Sequence, residues 1–319
     1  MKKSSYILMH VFFIAVCSII GYFYINQLQA YYVKKEEINK YFLQQPEYPL
    51  AKAVITKNYG KIKRLCKKNP EWIKRSFEEE YYSVLHYAVS EGETNAVKAL
   101  LKAGMNPNVV NPGGNTPIFT AVDQLYEMVN KVDYSKIVRL LIDYGADCNI
   151  HLKRGFNRSD IGNGGETPLI LSICHSIYLD DSNTIPKLLI EDGHADVNDR
   201  TEYGVTAAVA ALWFSNLKIA HYLIKECKAD VTEPFYFCYE NDELNKIQIY
   251  PVMLVKELNN FPEDSENHKL MQEIIAEFKN QGIEDFESPI PDDVQKILEE
   301  HCPALYFSTH YESLKNLLK

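Results

Sequence analysis

Two adjacent pairs, Cys174-His175 and His301-Cys302, and a downstream His310 are the residue types that bind metals or pair a nucleophile with its base. Their spacing argues against both uses. A structural zinc site needs paired ligands a few residues apart, and neither pair has such a partner. No Ser or Cys nucleophile motif is present, no paired carboxylates, and no glycine loop between a strand and a helix to cradle phosphate. The seven cysteines, Cys17, Cys66, Cys148, Cys174, Cys227, Cys238 and Cys302, are scattered like small core hydrophobes. Cys227 and Cys238 are the one pair proposed for a disulfide, should the domain lie in an oxidising compartment. The sequence therefore assigns no catalytic residue, no metal ligand and no cofactor, and the chain is read as non-enzymatic.

Residue types that bind proteins are better represented. The stretch "HLKRGFNRSDIGNGGE", His151 to Glu166, carries Lys153, Arg154, Phe156 and Arg158, the mixture of cation and aromatic found at interaction hot spots. A solvated insertion is the alternative for the same residues. A second candidate is "EPFYFCYE", Glu233 to Glu240, where Phe235, Tyr236, Phe237 and Tyr239 are dense for a loop. These four either pack under the following helices or form an exposed anchor patch.

What must position both stretches is a repeat. "GGNTPIFTAV" from Gly113 returns as "GGETPLILSI" from Gly164, 51 residues on. Set against a 33-residue unit, the excess is accounted for by eight residues between the helices and ten in the loop after them. The best copy, "SVLHYAVSEGETNAVKALLKAGMNPNVVNPGGN", begins at Ser83; its Leu85-His86, Ala88, Gly92, Val97, Leu100-Leu101, Gly104 and Asn108 carry the pattern. On these residues the chain resembles the ankyrin-repeat family from about Pro49 to Asp285. The resemblance implies about six helix-turn-helix units with hairpin-like loops, an all-α solenoid, degenerate at both ends. It also implies that His86 bonds backbone across the turn and that partners meet the loop tips and the concave face. In the fifth copy, Cys227 stands where the family has the glycine that ends the second helix. Pro186 in the fourth is expected in the opening turn of its helix.

The flanks complete the plan. Tyr6 to Ile25 are twenty residues without a charge after Lys2 and Lys3, about 30 Å as a helix, enough to cross a bilayer core. Residues 1–30 are read as a membrane anchor, with a cleaved signal peptide as the rival, 31–48 as a tether, 49–285 as the repeats and 286–319 as a two-helix C-terminal cap. Two N-terminal lysines favour the bulk of the chain lying outside the cytoplasm, while Lys34, Lys35, Lys40 and the basic first repeat on the other flank compete for the opposite orientation; a bacterial inner membrane with a periplasmic repeat domain is the expected location. Charge is uneven: residues 51–75 hold nine Lys or Arg against Glu71, whereas residues 231–319 hold 18 Asp or Glu against seven Lys, in a chain of net charge −9. The acidic end disfavours nucleic acid and points to a protein partner. The plan is similar to that of ankyrin-type immunity proteins that neutralise secreted lipase toxins, which implies a monomeric inhibitor of such a toxin. A host-directed effector or an envelope scaffold shares these features, and an enzyme with an ankyrin targeting arm is the remaining class.

Overall fold

A computed structural model of the protein describes residues 40–76, 82–111, 114–122, 132–152, 164–175, 183–238 and 246–302. The expected span Tyr6 to Ile25, most of the tether and the second helix of the cap lie outside these residues. Among the described residues no helix is long and apolar enough to cross a membrane.

Among the described residues six helix pairs follow one another along the chain. They are α1 (Tyr48–Ile55) with α2 (Tyr59–Lys68) and a short α3 (Pro70–Arg75); α4 (Val84–Ser90) with α5 (Thr94–Lys102); and α6 (Pro117–Val122) with α7 (Ser135–Asp143). Then come α8 (Pro168–His175) with α9 (Thr184–Glu191), and α10 (Ala207–Trp213) with α11 (Leu217–His221), which runs into a wider π turn at Tyr222–Glu226. The last pair is α12 (Pro251–Leu258) with α13 (Glu266–Asn280), and α14 (Asp292–His301) follows it. First helices contact first helices from α1 to α12, and second helices form the other row. This two-row stack buries one continuous core that no single pair could build.

Local chemistry starts the helices where the sequence places them. The Ser83 hydroxyl accepts from His86 N–H at 3.3 Å, and Thr206 Oγ1 accepts from Val209 N–H at 3.2 Å, satisfying amides that a helix leaves unpaired at its first turn. Asn58 and Asn216 do the same for the second helices α2 and α11. Pro186 sits in the first turn of α9, where its missing N–H costs nothing. Small residues let the rows approach: all seven residues of α10, "AAVAALW", are buried.

The structure corrects the sequence reading at three places. The fold is not all helical: Phe235–Cys238 (β1) pairs antiparallel with Lys246–Ile249 (β2), Phe235 opposite Ile249 and Tyr236 opposite Gln248. Alternating side chains, two of them needing burial, favour a strand over the loop expected from that stretch. Next, Cys227 is not the left-handed residue of the fifth repeat. It has φ −88°, and Lys228 takes φ 58° instead. His194 does likewise in the fourth repeat at φ 52°, while Gly104 and Gly145 hold that place in the second and third. The fourth and fifth repeats thus carry one extra residue at the helix end, closed by Ala195 N–H to the Leu189 carbonyl and Ala229 N–H to the Leu223 carbonyl, both 2.9 Å. Last, the described part of the expected tether is packed: Phe42 is buried, its ring 5.5 Å from that of Tyr87.

Candidate functional site

After the second to fifth helix pairs the described residues close a series of fingers, and the last three of them are stitched together. The first is closed by Asn111 N–H to the Asn115 carbonyl at 2.9 Å, the second by Leu152 N–H to the Glu166 carbonyl at 2.9 Å, and the third by Thr201 N–H to the Val205 carbonyl at 3.0 Å. The fourth is the β1–β2 hairpin. Tyr236 N–H donates to the Tyr203 carbonyl at 2.8 Å, so the hairpin joins the third finger edge to edge. Two glycines make this approach possible. A Cβ at Gly165 (φ 80°) would sit 3.1 Å from Glu202 N, and one at Gly204 (φ 77°) would sit 2.9 Å from the Pro234 carbonyl oxygen.

Beneath the fingers an asparagine in the second, third and fourth repeats grips the next. Asn108 Nδ2 donates to the Gly145 carbonyl at 2.8 Å while its Oδ1 accepts from Asp147 N–H at 2.7 Å. Asn149 repeats this with the His194 carbonyl and Asp196 N–H at 3.2 and 2.8 Å, and Asn198 accepts from Asp230 N–H at 2.8 Å. Gln281 closes the series from the other side, bonding Val231 N–H and the Ala229 carbonyl. His151 ties the second finger to the third, with ring nitrogens 2.7 Å from the Gly165 carbonyl and 2.9 Å from Asp199 Oδ2.

His86 bonds across the turn as the family resemblance implied. Its Nε2–H donates to the Asn115 carbonyl at 3.0 Å, because a carbonyl can only accept, which leaves Nδ1 to accept from the Ser83 hydroxyl at 3.1 Å. The ring is fully buried, and that desolvation lowers its pKa to about 4. A neutral histidine with both nitrogens occupied is a structural brace, not a catalytic base.

The hairpin divides the aromatic candidates. Phe235 and Phe237 turn inward onto Trp213, with ring centroids 6.0 and 6.3 Å away, and both are buried. Tyr236 turns outward and is 36% exposed, opposite exposed Gln248. Tyr250, 41% exposed, lies beside them, its hydroxyl accepting from Gln248 Nε2 at 3.4 Å, and Lys246 lies over the Tyr203 ring at 4.9 Å. Sequence reasoning missed Lys246, Gln248 and Tyr250. The alternation Phe-Tyr-Phe-Cys was the signal for a two-faced strand and hence for its partner. Tyr239, and Lys153, Arg154, Phe156 and Arg158 of the second finger, lie outside the described residues.

Among the described residues, the cysteine and histidine side chains raised by the sequence are held in packed, non-reactive settings, while His310 and the His175 side chain lie outside them. Burial pushes the thiols of Cys66 and Cys148 up to about 11, and that of Cys174 higher still. Cys302 is buried, its Sγ–H donating to the Trp213 carbonyl, and the His301 ring lies 4.9 Å from that of Phe237. Cys227 and Cys238 are not joined in a disulfide. Among the described residues no three His, Cys, Asp or Glu gather as a metal site.

Comparison with known proteins agrees with this geometry. The family model described as ankyrin repeats (3 copies) matches residues 50–151 and again 131–234. An ankyrin repeat-containing protein of Schizosaccharomyces pombe is 28% identical over 121 residues, which are 38% of this chain and 46% of that protein. The chain thus spans under half the length of this relative.

Proposed function

Because the chain belongs to the ankyrin-repeat family, a protein–protein interaction module, we propose that it binds one protein partner through its row of fingers while tethered to a membrane by Tyr6 to Ile25. The observation that carries the reading is the outward face of the hairpin. Tyr236, Gln248, Lys246 and Tyr250 stand together on a support made rigid by Phe235, Phe237 and Trp213, and aromatic anchors on a fixed base are what an interface core requires. Lys153, Arg154, Phe156 and Arg158 extend the same row in sequence from the second finger.

In its narrower form the partner is a secreted lipase-type toxin and this chain its immunity protein, acting outside the cytoplasm. The tether and the partner are tested separately. Deleting Tyr6 to Ile25 should release the chain from alkaline-washed membranes, and retention would reject the tether. A partner captured by the full chain should lose lipid-ester hydrolysis when the chain is added in equal amount. A captured partner with no such activity would remove the immunity role and leave the interaction module standing.

A further inference from the structure

Within the stack, several cations at the second helices of later repeats pair with the neighbouring repeat. Arg139 of α7 meets Asp192 at 2.8 Å, Lys228 meets Glu277 at 3.2 Å, and Lys225 and His221 share Glu273. In the first repeat Lys57, just before α2, likewise meets Glu93 of the second repeat at 2.7 Å, but a group of cations on α2 and α3 does not. Lys63 and Lys67, and beside them Arg64 and Lys68, stand four residues apart on α2, so the four share one face. That face is exposed, while Ile62 and Cys66 on the opposite side are buried. Lys74 on α3 is exposed as well, and none of these five makes an ion pair or hydrogen bond among the described residues. Glu71 is the one carboxylate in residues 51–75. The same end of the stack also holds both exposed large aliphatic side chains of the described residues, Leu43 at 60% and Ile55 at 49%.

From this we infer that the first repeat docks on an anionic phospholipid surface through Lys63, Arg64, Lys67, Lys68 and Lys74. The occupant follows from the charge and from the chain itself. Fourteen residues, 26–39, separate the uncharged segment from the first described residue, so α2 stays within about 50 Å plus its own offset of that segment's end. Such a tether holds a weakly binding face at high effective concentration. Each cation near an anionic bilayer strengthens association roughly fivefold. Residues 231–319, with their excess of carboxylates, are repelled by the same surface, which directs the finger-bearing later repeats away from it. The docking rests on the proposed tether for its local concentration, but not for its chemistry.

The test uses the full chain in nanodiscs of phosphatidylcholine alone or with one third phosphatidylglycerol, acetylated by a water-soluble amine reagent and mapped by mass spectrometry. Lys63, Lys67, Lys68 and Lys74 should react at least about threefold more slowly in the anionic discs, while Lys269 on α13 reacts equally in both. High salt should erase the difference. The triple variant Lys63→Glu, Lys67→Glu, Lys68→Glu should lose the protection remaining at Lys74 with an unchanged helical circular dichroism spectrum. Equal reactivity in the two discs would overturn the docking and return the face to an acidic protein or to solvent. Failure to incorporate into either disc would contradict the tether instead. Docking would then be read from pelleting of the same chain with phosphatidylglycerol vesicles: salt-sensitive pelleting supports it and no pelleting overturns it.

Discussion

The second and fifth repeats perform the same task with different residues at the corners. Ser83 and Thr206 cap their first helices, and Gly92 and Ser215 make the left-handed turn between helices at φ 67° and 56°. The second helices then diverge. In the second repeat Gly104 takes φ 97° and Met105 N–H returns to the Leu100 carbonyl. In the fifth an extra residue widens the last turn, Lys228 takes the strained conformation, and Ala229 N–H returns to the Leu223 carbonyl one residue further back. Both outcomes place a buried side chain, Met105 or Ala229, at the same step of the stack. The inward contacts fix the register, and the surplus residue is pushed outward where only backbone strain opposes it. The brace differs too: His86 spans the turn in the second repeat, whereas apolar Val209 occupies the corresponding place in the fifth.

The largest expected effect separates these braces by pH. The pKa of His86 is lowered to about 4 in the folded chain and is about 6.5 when unfolded, so the unfolded state binds the proton first. Stability is therefore full above about pH 6.5 and falls as the pH drops toward about 4, by up to about 3 kcal/mol from this group. Denaturant titrations across that window should show a shallower fall for His86→Gln, whose amide still reaches the Asn115 carbonyl. An unchanged pH slope would show that His86 is not the group responsible.

A smaller effect distinguishes Gly193 from Cys227, which hold equivalent places in the fourth and fifth repeats. A Cβ at Gly193 would lie 2.5 Å from Cys148 Sγ and 2.7 Å from the Leu189 carbonyl oxygen, so Gly193→Ala should cost about 2 kcal/mol by overpacking. Cys227 already carries a side chain there, and Cys227→Ala should change stability by less than about 1 kcal/mol. Equal costs in thermal unfolding would mean that the two corners are not built differently.

The smallest is a gain. Lys228→Gly places the residue best suited to φ 58° at the strained position but gives up the Lys228–Glu277 ion pair, so it should stabilise the chain by no more than about 0.5 kcal/mol, set against a loss of about 1 kcal/mol for Gly104→Ala.

These corners also explain what could be read from the sequence. Leu100-Leu101, Ala88 and the Thr-Pro starts were legible because packing of one repeat on the next dictates residue type at fixed intervals. The extra residue at Lys228 was not, since a wide turn has no residue-type signature and Cys227 imitated a substituted glycine. The β hairpin was hidden because its strands are only four residues each, with Ile247 only partly buried on β2. For the candidate site, sequence marked the aromatic density at Phe235 to Tyr239. It could not say which rings face out, because that depends on where Trp213 lies beneath them.

The central claim is that partners meet the fingers of this stack. Its most direct test places a photo-cross-linking residue at Tyr236, Tyr250 or Lys153 in the full chain, and in parallel at Lys98 or Lys102 on the exposed side of α5. Binding through the finger row predicts covalent capture of one protein species from the first three positions and none from the last two. Capture of that species from Lys98 or Lys102, with none from the fingers, would contradict it.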